Sequence, residues 1–514
     1  MPASIAPFQR RQALLSLVEK EINPVSRPPE DETVKRAENI FMECKQYRDE
    51  DLRMPDRWRC NRSWYLSGGN GSRRTYVNLP YEKCEKLYAD LTEADPEMNF
   101  RPTSPGAVNL CEAMNHAIPE IWDQNQGDRA YRATVKADVV FGTWLWKIEH
   151  DPGYGGRGPK VKFRQVPCYR FFPAPYATDV QSSPVVIEVV PRTVEEVYND
   201  YGIRVEPEVQ PGDFADISED LGSVKRAVSW EASLGNTNRV PMFPSSFMLG
   251  RDKTQGLVFQ KEMWIRDPEL QDRYWMERGS KGPEVKYGKD LAYPLGRVIS
   301  WANGRLLDDR ESPYLDGKFP YVRFADVMFP EFFWGLGEIP NLINLQLLHD
   351  DTVDSMRLIH AYMSNPRTII DKTTGLVEGE VGNDPDEIWW TNRGTQDRIK
   401  VFQGAVPPAE FYTHLSRIEG WCDLMTGSFD VSRGENPPGV RAGRAVALLQ
   451  RAAGVRVRAR LRDLEDTLKE AGMMMASRIL QFADSKLSLR GQGGAFKDFY
   501  LSEEERVMEF ELDV

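Results

Sequence analysis

The chain has 514 residues and a formal net charge of −12, and it is 41% hydrophobic, 28% charged and 11% aromatic. That length exceeds what one hydrophobic core serves, so about two to four lobes are expected, and the aromatic content excludes a disordered chain. The acidic balance argues against a tight grip on nucleic acid, which relies on Lys and Arg displacing counterions.

No stretch approaches the ~18–20 consecutive apolar residues of a membrane span. No long apolar run follows the Arg10–Arg11 pair, so a secretory leader is not expected. Cys44, Cys60, Cys84, Cys111, Cys168 and Cys422 are scattered without a CxxC pair. Zinc and redox motifs need two ligands a few residues apart, so reduced, mostly buried thiols in a cytosolic compartment are expected.

The first stretch, residues 30–120, reads as helical. Asp31 to Glu50 mixes apolar and polar residues at helical spacing. Tyr81 to Leu91 and Ala107 to Trp122 show the three-to-four period of a one-sided helix. A further helix is expected from Asp128 to Val140. The pattern then changes to strands: Trp144 to Ile148, Val161 to Val166 and Val185 to Val190, with DPGYGGRG (Asp151 to Gly158) as a turn. Thr193-Val-Glu-Glu supplies the start signal of a short helix ending at Tyr201-Gly202. Residues 205–250, rich in Pro, Gly, Ser and Asn, read as a surface excursion. Strands resume at Leu257 to Ile265, at Val298 to Leu307 around an Ala302-Asn303-Gly304 hairpin turn, and at Tyr321 to Phe324. The fold class is therefore α+β, helices first and antiparallel strands after.

The informative third follows the aromatic cluster Phe329 to Gly335. A helix opens near Pro340, carries Leu342, Leu345, Leu348, Met356, Ile359 and Met363, and stops at Asn365-Pro366. A small β insert follows, with strand signals at Thr368 to Ile370, Glu387 to Trp390 and Arg398 to Phe402. A second helix opens at Pro407-Pro408 and ends at Gly427, and a breaker-rich loop spans Ser428 to Gly443. A very long helix, Arg444 to Phe482, closes the series. Its seam is Val457, Leu461, Leu464, Leu468, Met475, Ile479 and Phe482, interrupted by Gly454 and Gly472. A β module on a two-helix stalk buries little apolar surface alone, and identical chains around an axis are the simplest neighbours.

This order resembles the portal proteins of tailed bacteriophages, the head-to-tail connector rings of the capsid vertex. The ordered set carries the likeness: Tyr293-Pro-Leu-Gly-Arg-Val-Ile-Ser-Trp-Ala-Asn-Gly304, Lys318-Phe-Pro-Tyr-Val-Arg323 and Trp334-Gly-Leu-Gly337 before the stalk, and Thr426-Gly427 and Gly439 to Gln450 after it. The resemblance implies a wing over 1–336, stem helices at 337–365 and 407–427, and a clip at 366–406. It further implies a tunnel loop at 428–443, a long wing helix at 444–483 and a short crown from 484 to 514. A homo-oligomer, commonly a dodecamer, is implied, with double-stranded DNA passing through. Implied partners are a terminase, tail adaptor proteins and the major capsid or scaffolding protein, with the virion and host cytoplasm as location. No membrane, cofactor or metal is expected.

Arginine is locally dense between Ser428 and Arg462, reversing the acidic balance. Arg433 and Arg441, in the loop, are candidates for transient phosphate contact or for ion pairing, with neither favoured. For Arg444, Arg451 and Arg456, on the long helix, pairing within or between chains weighs more than DNA contact. Trp389 and Trp390 form either a docking surface on the clip or its small core, the core being slightly favoured. Catalytic motifs are thin. GYGGRG (Gly153 to Gly158) lacks the Lys-Ser/Thr of a phosphate loop, and HExxH and GxSxG do not occur. His349, His360 and His414 read as stem packing or exposed residues. Two rivals stand beside the portal reading: another virion ring or adaptor protein, and a metal-dependent nuclease built on Asp308-Asp309 or Asp350-Asp351.

Overall fold

The computed structural model describes residues 30–67, 77–93, 95–151, 160–208, 257–266, 293, 295–364, 367–370, 392–393, 399–402, 410–427, 455–482, 486–490, 496–500 and 510–513. In chain order the first elements are α1 (Glu30–Gln46), a π-helical turn (Tyr47–Asp51), α2 (Met54–Ser67), α3 (Leu79–Leu91), β1 (Asn99–Pro102), α4 (Val108–Gln124) and α5 (Gly127–Phe141). Next come β2 (Thr143–His150), β3 (Val161–Val166), β4 (Phe171–Pro173), β5 (Val185–Thr193), α6 (Val194–Tyr201), β6 (Leu257–Ile265), β7 (Arg297–Ala302), β8 (Arg305–Glu311) and β9 (Tyr321–Ala325). The last third holds α7 (Ile339–Ser364), β10 (Arg367–Ile370), β11 (Ile399–Phe402), α8 (Glu410–Thr426), α9 (Val455–Phe482), β12 (Lys486–Arg490), β13 (Phe496–Tyr500) and β14 (Phe510–Asp513). The fold is mixed helix and sheet, and the chain divides into two units: 1–62 with 87–337 and 455–514, and 63–86 with 338–454.

The larger unit is built on an antiparallel five-stranded sheet in the order β4-β5-β6-β7-β8 and a three-stranded sheet in the order β3-β2-β9. Strand β5 explains why. Its run Val-Val-Ile-Glu-Val (Val185 to Val189) is buried on both faces, as a central strand requires. Ile187 and Val189 join Met263, Ile299 and Trp301 in a core covered by Val34, Ala37 and Phe41 of α1. On the other face Val186, Trp264 and Val298 pack with Leu145, Phe171, Tyr321 and Phe333. The β7–β8 hairpin turns on Asn303 and Gly304, both at positive φ (43° and 75°), the conformation of a two-residue primed turn.

Glu188 is the one acid in that run, and it lies fully buried among basic groups. Arg164 of β3 grips it with two hydrogen bonds of 2.6 and 2.8 Å. The Tyr321 hydroxyl donates at 2.8 Å, and Lys147 of β2 stands 3.7 Å away while bonding Glu262 of β6 at 2.7 Å. Burial alone would raise the Glu188 carboxyl, but Arg164, Lys147 and the Tyr321 hydroxyl reverse the shift and hold it at about 2.

The sequence pattern carried no separate signal for α2, for β4 or for the C-terminal strands. Helix α2 is polar on most positions, and its first turn enters the core only through Met54 and Trp58. Strand β14 pairs antiparallel with β1, Asn99 opposite Asp513 and Phe100 opposite Leu512. The pairing is long-range, so local periodicity cannot show it. Gly472 of α9 makes room, since a Cβ there would lie 2.5 Å from the Leu512 side chain.

The long helix α9 turns the expected seam inward. Leu464, Leu468, Met475 and Ile479 are buried, and Phe482 stacks on His150 of β2 at 4.1 Å between ring centres. Arg478, on the same helix, is wholly buried, bonds Asp316 at 2.7 Å and lies 3.6 Å over the Tyr314 ring. All six cysteines are free, and each except Cys60 is buried.

Candidate assembly interface

The smaller unit holds the stalk. Helix α7 has 26 residues, a length of about 39 Å at ~1.5 Å per residue. It leads into β10, which pairs antiparallel with β11, Arg367 opposite Phe402 and Ile370 opposite Ile399. Helix α8 then returns, so that Cys422 near its end packs with Leu342 near the start of α7. The two helices are therefore antiparallel, joined at the far end by a β ladder. The Pro340 and Gly427 signals mark the observed ends, Gly427 at φ 76°.

The segment before α3, and its first turns, belong to this unit rather than to the sheets. Gln346 of α7, wholly buried, accepts from the Leu79 N–H at 2.9 Å and donates to the Val77 carbonyl at 2.8 Å and to Asp350 at 3.0 Å. Lys83, also buried, pairs with Asp423 of α8 at 2.7 Å. Local sequence carries no sign of this, because its cause is a side chain reaching across 267 residues of sequence.

Burial on the stalk departs in part from the usual amphipathic rule: Ile339, Leu342, Met356, Ile418 and Cys422 are buried as it requires, but polar side chains share the covered positions. Gln346, His349 and Asp350 are buried, whereas Leu348, Leu358 and Met363 of α7 are exposed, as are Tyr412, Trp421, Leu424 and Met425 of α8. Leu358 is 50% exposed and Leu424 57%. Gln346 and Asp350 are hydrogen-bonded inside the unit, and the exposed apolar side chains keep much of their surface uncovered within it. Singly exposed hydrophobes are ordinary, but this many large ones on two adjoining helices form a surface that favours burial by another molecule.

The larger unit carries a second exposed apolar ridge, formed by Val327, Met328, Phe329, Phe332 and Leu336. It is rigidly mounted. Val327 and Leu336 exchange backbone hydrogen bonds of 3.3 and 3.0 Å, Phe333 and Trp334 are buried below, and the Gly335 N–H donates to Thr143 Oγ1 at 2.7 Å. The aromatic cluster was visible in the sequence; which of its members point outward was not.

Of the arginine candidates, Arg456 lies exposed on α9. Its neighbour Arg460 bonds Asp326 at 3.0 Å, an ion pair within the chain. Arg433, Arg441, Arg444 and Arg451, together with Trp389 and Trp390, lie outside the described residues. Among the described residues no three His, Cys, Asp or Glu side chains are grouped to hold a metal ion. Asp309 is clamped by Arg297 at 2.8 and 2.7 Å, and Asp308 pairs with Arg310 at 3.0 Å, which leaves the nuclease rival without a free carboxylate pair there. His349 lies 3.4 Å from Asp350 inside the stalk unit, and His360 is exposed. No described helix is long and apolar enough to cross a membrane. No protein-family model matches the chain, and no curated protein sequence matches it.

Proposed function

We propose that this chain is a portal protein: a ring-forming, non-enzymatic conduit for phage DNA at one capsid vertex, with a portal-like fold. In this reading the stalk helices α7 and α8 are the stem, the β10–β11 module is the clip, and α9 is the long wing helix. Packaging energy comes from a separate terminase motor that docks at the clip, and tail adaptors take its place afterwards. The wing contacts capsid or scaffolding protein. One observation carries the reading: an antiparallel two-helix stalk, capped by a β ladder, leaves Leu348, Leu358, Met363, Tyr412, Trp421, Leu424 and Met425 exposed while burying Gln346, His349 and Asp350. Such a stalk gains by packing side by side with copies of itself, which around a closed axis gives a ring. The net charge of −12 suits a channel through which DNA slides, because a wall that bound phosphates would hold it.

Mass photometry and negative-stain imaging of the purified full chain test this. Closed rings, commonly of twelve copies, are expected. A chain that stays monomeric up to tens of micromolar, in low and high salt, sinks the reading.

A further inference from the structure

Within the larger unit a small cavity, with capacity for about one water molecule, opens where four elements meet. Helix α5 lines it with Val135, Asp138 and Val139, and α3 with Leu91. Ala325 and Asp326 line it from β9 and the residue beyond, and Arg460 and Leu464 from α9. Both carboxyls are buried, Asp138 at 2% exposure and Asp326 at 6%. Their partners differ. Asp326 is bonded by Arg460 at 3.0 Å on one oxygen and 3.2 Å on the other. Neither side-chain oxygen of Asp138 has a hydrogen-bond partner among the described residues.

A buried carboxylate without partners is among the costliest groups a protein can carry, so something neutralises it. Asp138 also stands in the last turn of α5, where the negative end of the helix dipole opposes a second negative charge. A hard cation is a poor neutraliser here. Calcium takes six to eight oxygens, and the oxygens of Asp326 already serve Arg460. A proton needs no such cage.

We propose that Asp138 holds a proton in the folded chain, and that this proton is the latch condition under which α9 lies against α5 and β9. Burial first, then the Asp326 charge, push the Asp138 carboxyl well above the usual carboxylate range. Arg323 pulls the other way more weakly, as does the Trp144 N–H, which makes no hydrogen bond to either oxygen. The remaining groups around the site are accounted for. Tyr131 of α5 feels Glu465 of α9, Asp138 and Asp95; Arg323 is flanked by Asp179 and by Glu470 of α9; the buried Cys168 thiol feels Asp138. Lys136 of α5 is turned to the Tyr88 ring, 5.2 Å away. When Asp138 ionises, two carboxylates share one cavity and one arginine of α9, and the contact loosens.

The sign follows from linkage. A carboxyl raised on folding keeps its proton folded and loses it unfolded, so opening releases a proton and becomes easier as pH rises. The test is hydrogen exchange at residues 455–464 in the full chain and in Asp138→Asn, compared at each pH from 4 to 9. The ratio of opening constants, wild type over Asp138→Asn, should climb about tenfold per pH unit up to the pH at which folded Asp138 ionises, then level off. Parallel profiles overturn the proposal. So does added Mg²⁺ or Ca²⁺ that slows opening in the wild type and not in Asp138→Asn, since the cavity would then be a cation site. Should Asp138→Asn fail to fold, Asp326→Asn provides the check. Removing the neighbouring charge should move the levelling point to lower pH, and an unmoved point overturns the proposal.

Discussion

In the sheet-rich unit, the charges trapped between the two sheets are matched to one another, and the apolar side chains of β5 and its neighbours are covered on both faces. In the stalk unit, Gln346, His349 and Asp350 take the covered positions while Leu358, Trp421 and Leu424 remain exposed. Between the sheets one chain supplies the cover; on the stalk, under the proposed ring, a neighbouring copy would supply it. Leaving leucines and a tryptophan in water lowers stability unless another molecule covers them, which is what the proposed ring would do.

The largest expected effect comes from breaking the exposed face. Leu358→Asp combined with Leu424→Asp should abolish rings and leave single chains by mass photometry, an effect of at least 100-fold on assembly, with circular dichroism unchanged. Buried interface leucines replaced by a charge lose their burial energy and add an unpaired carboxylate at a desolvated site. Tyr198→Asp, on an exposed tyrosine of the sheet-rich unit, serves as the matched control and should leave rings intact. Rings that survive the double substitution would move the assembly contact away from the stalk.

The next effect is confined to the sheet-rich unit. Glu188→Ala leaves Arg164 without its bidentate carboxylate and should cost about 3–5 kcal/mol by chemical denaturation. The same group sets an acid limit. A carboxyl held at about 2 when folded stabilises fully above the usual glutamate range, ~4.3, and loses that contribution as pH falls through about 2. Melting temperature should therefore fall across that window, and less steeply in Glu188→Gln. An equal acid response in both chains would show that other carboxyls dominate.

Backbone closeness gives the third effect. A Cβ at Gly335 would stand 2.3 Å from the Gly142 carbonyl, and one at Gly337 would stand 2.7 Å from that of Val139. Gly142 itself, at φ 87°, ends α5 in the left-handed region. Since backbone rather than a flexible side chain blocks the space, Gly335→Ala should cost about 1–3 kcal/mol in thermal or denaturant unfolding. Gly420→Ala on the stalk, where nothing lies within 4 Å, should be neutral or slightly stabilising.

Much of the fold was legible where periodicity and punctuation coincide. Leu257–Ile265 was read to the residue, and the Asn303-Gly304 turn, the stop after Ser364 and the end at Gly427 follow from local chemistry. The order helix, small β insert, helix was legible for the same reason, and of the three strands expected in the insert, Glu387 to Trp390 lies outside the described residues. What stayed hidden depends on distant partners. Val77 and Leu79 join the stalk through Gln346, and β14 finds β1 across most of the chain. The covered positions of α7 were hidden too, because the apolar spacing marks Leu342 and Leu348 alike, and only three-dimensional contacts show Leu342, Gln346 and His349 buried and Leu348 exposed. Asp138 gave no signal at all, being one acid in an amphipathic helix whose final turn happens to be roofed by α9.

The smallest expected effect tests how far a local signal suffices in the completed unit. Thr193 ends β5 and starts α6; its hydroxyl accepts from the Glu196 N–H at 3.2 Å, and the Glu196 carboxylate accepts from the Thr193 N–H at 3.0 Å. Thr193→Ala removes one half of this reciprocal pair and should cost about 1 kcal/mol, while Thr193→Ser, which keeps the acceptor, should cost less. Thr193 is buried, so the lost methyl in the serine variant contributes a packing term of its own. Glu196→Ala separates the two causes, since it leaves the Thr193 methyl in place and removes only the returning bond. If Glu196→Ala is silent while both Thr193 variants are equally destabilised, packing beneath α6 and not the cap sets that junction. The helix start would then belong, like the stalk, to contacts made from outside the segment that encodes it.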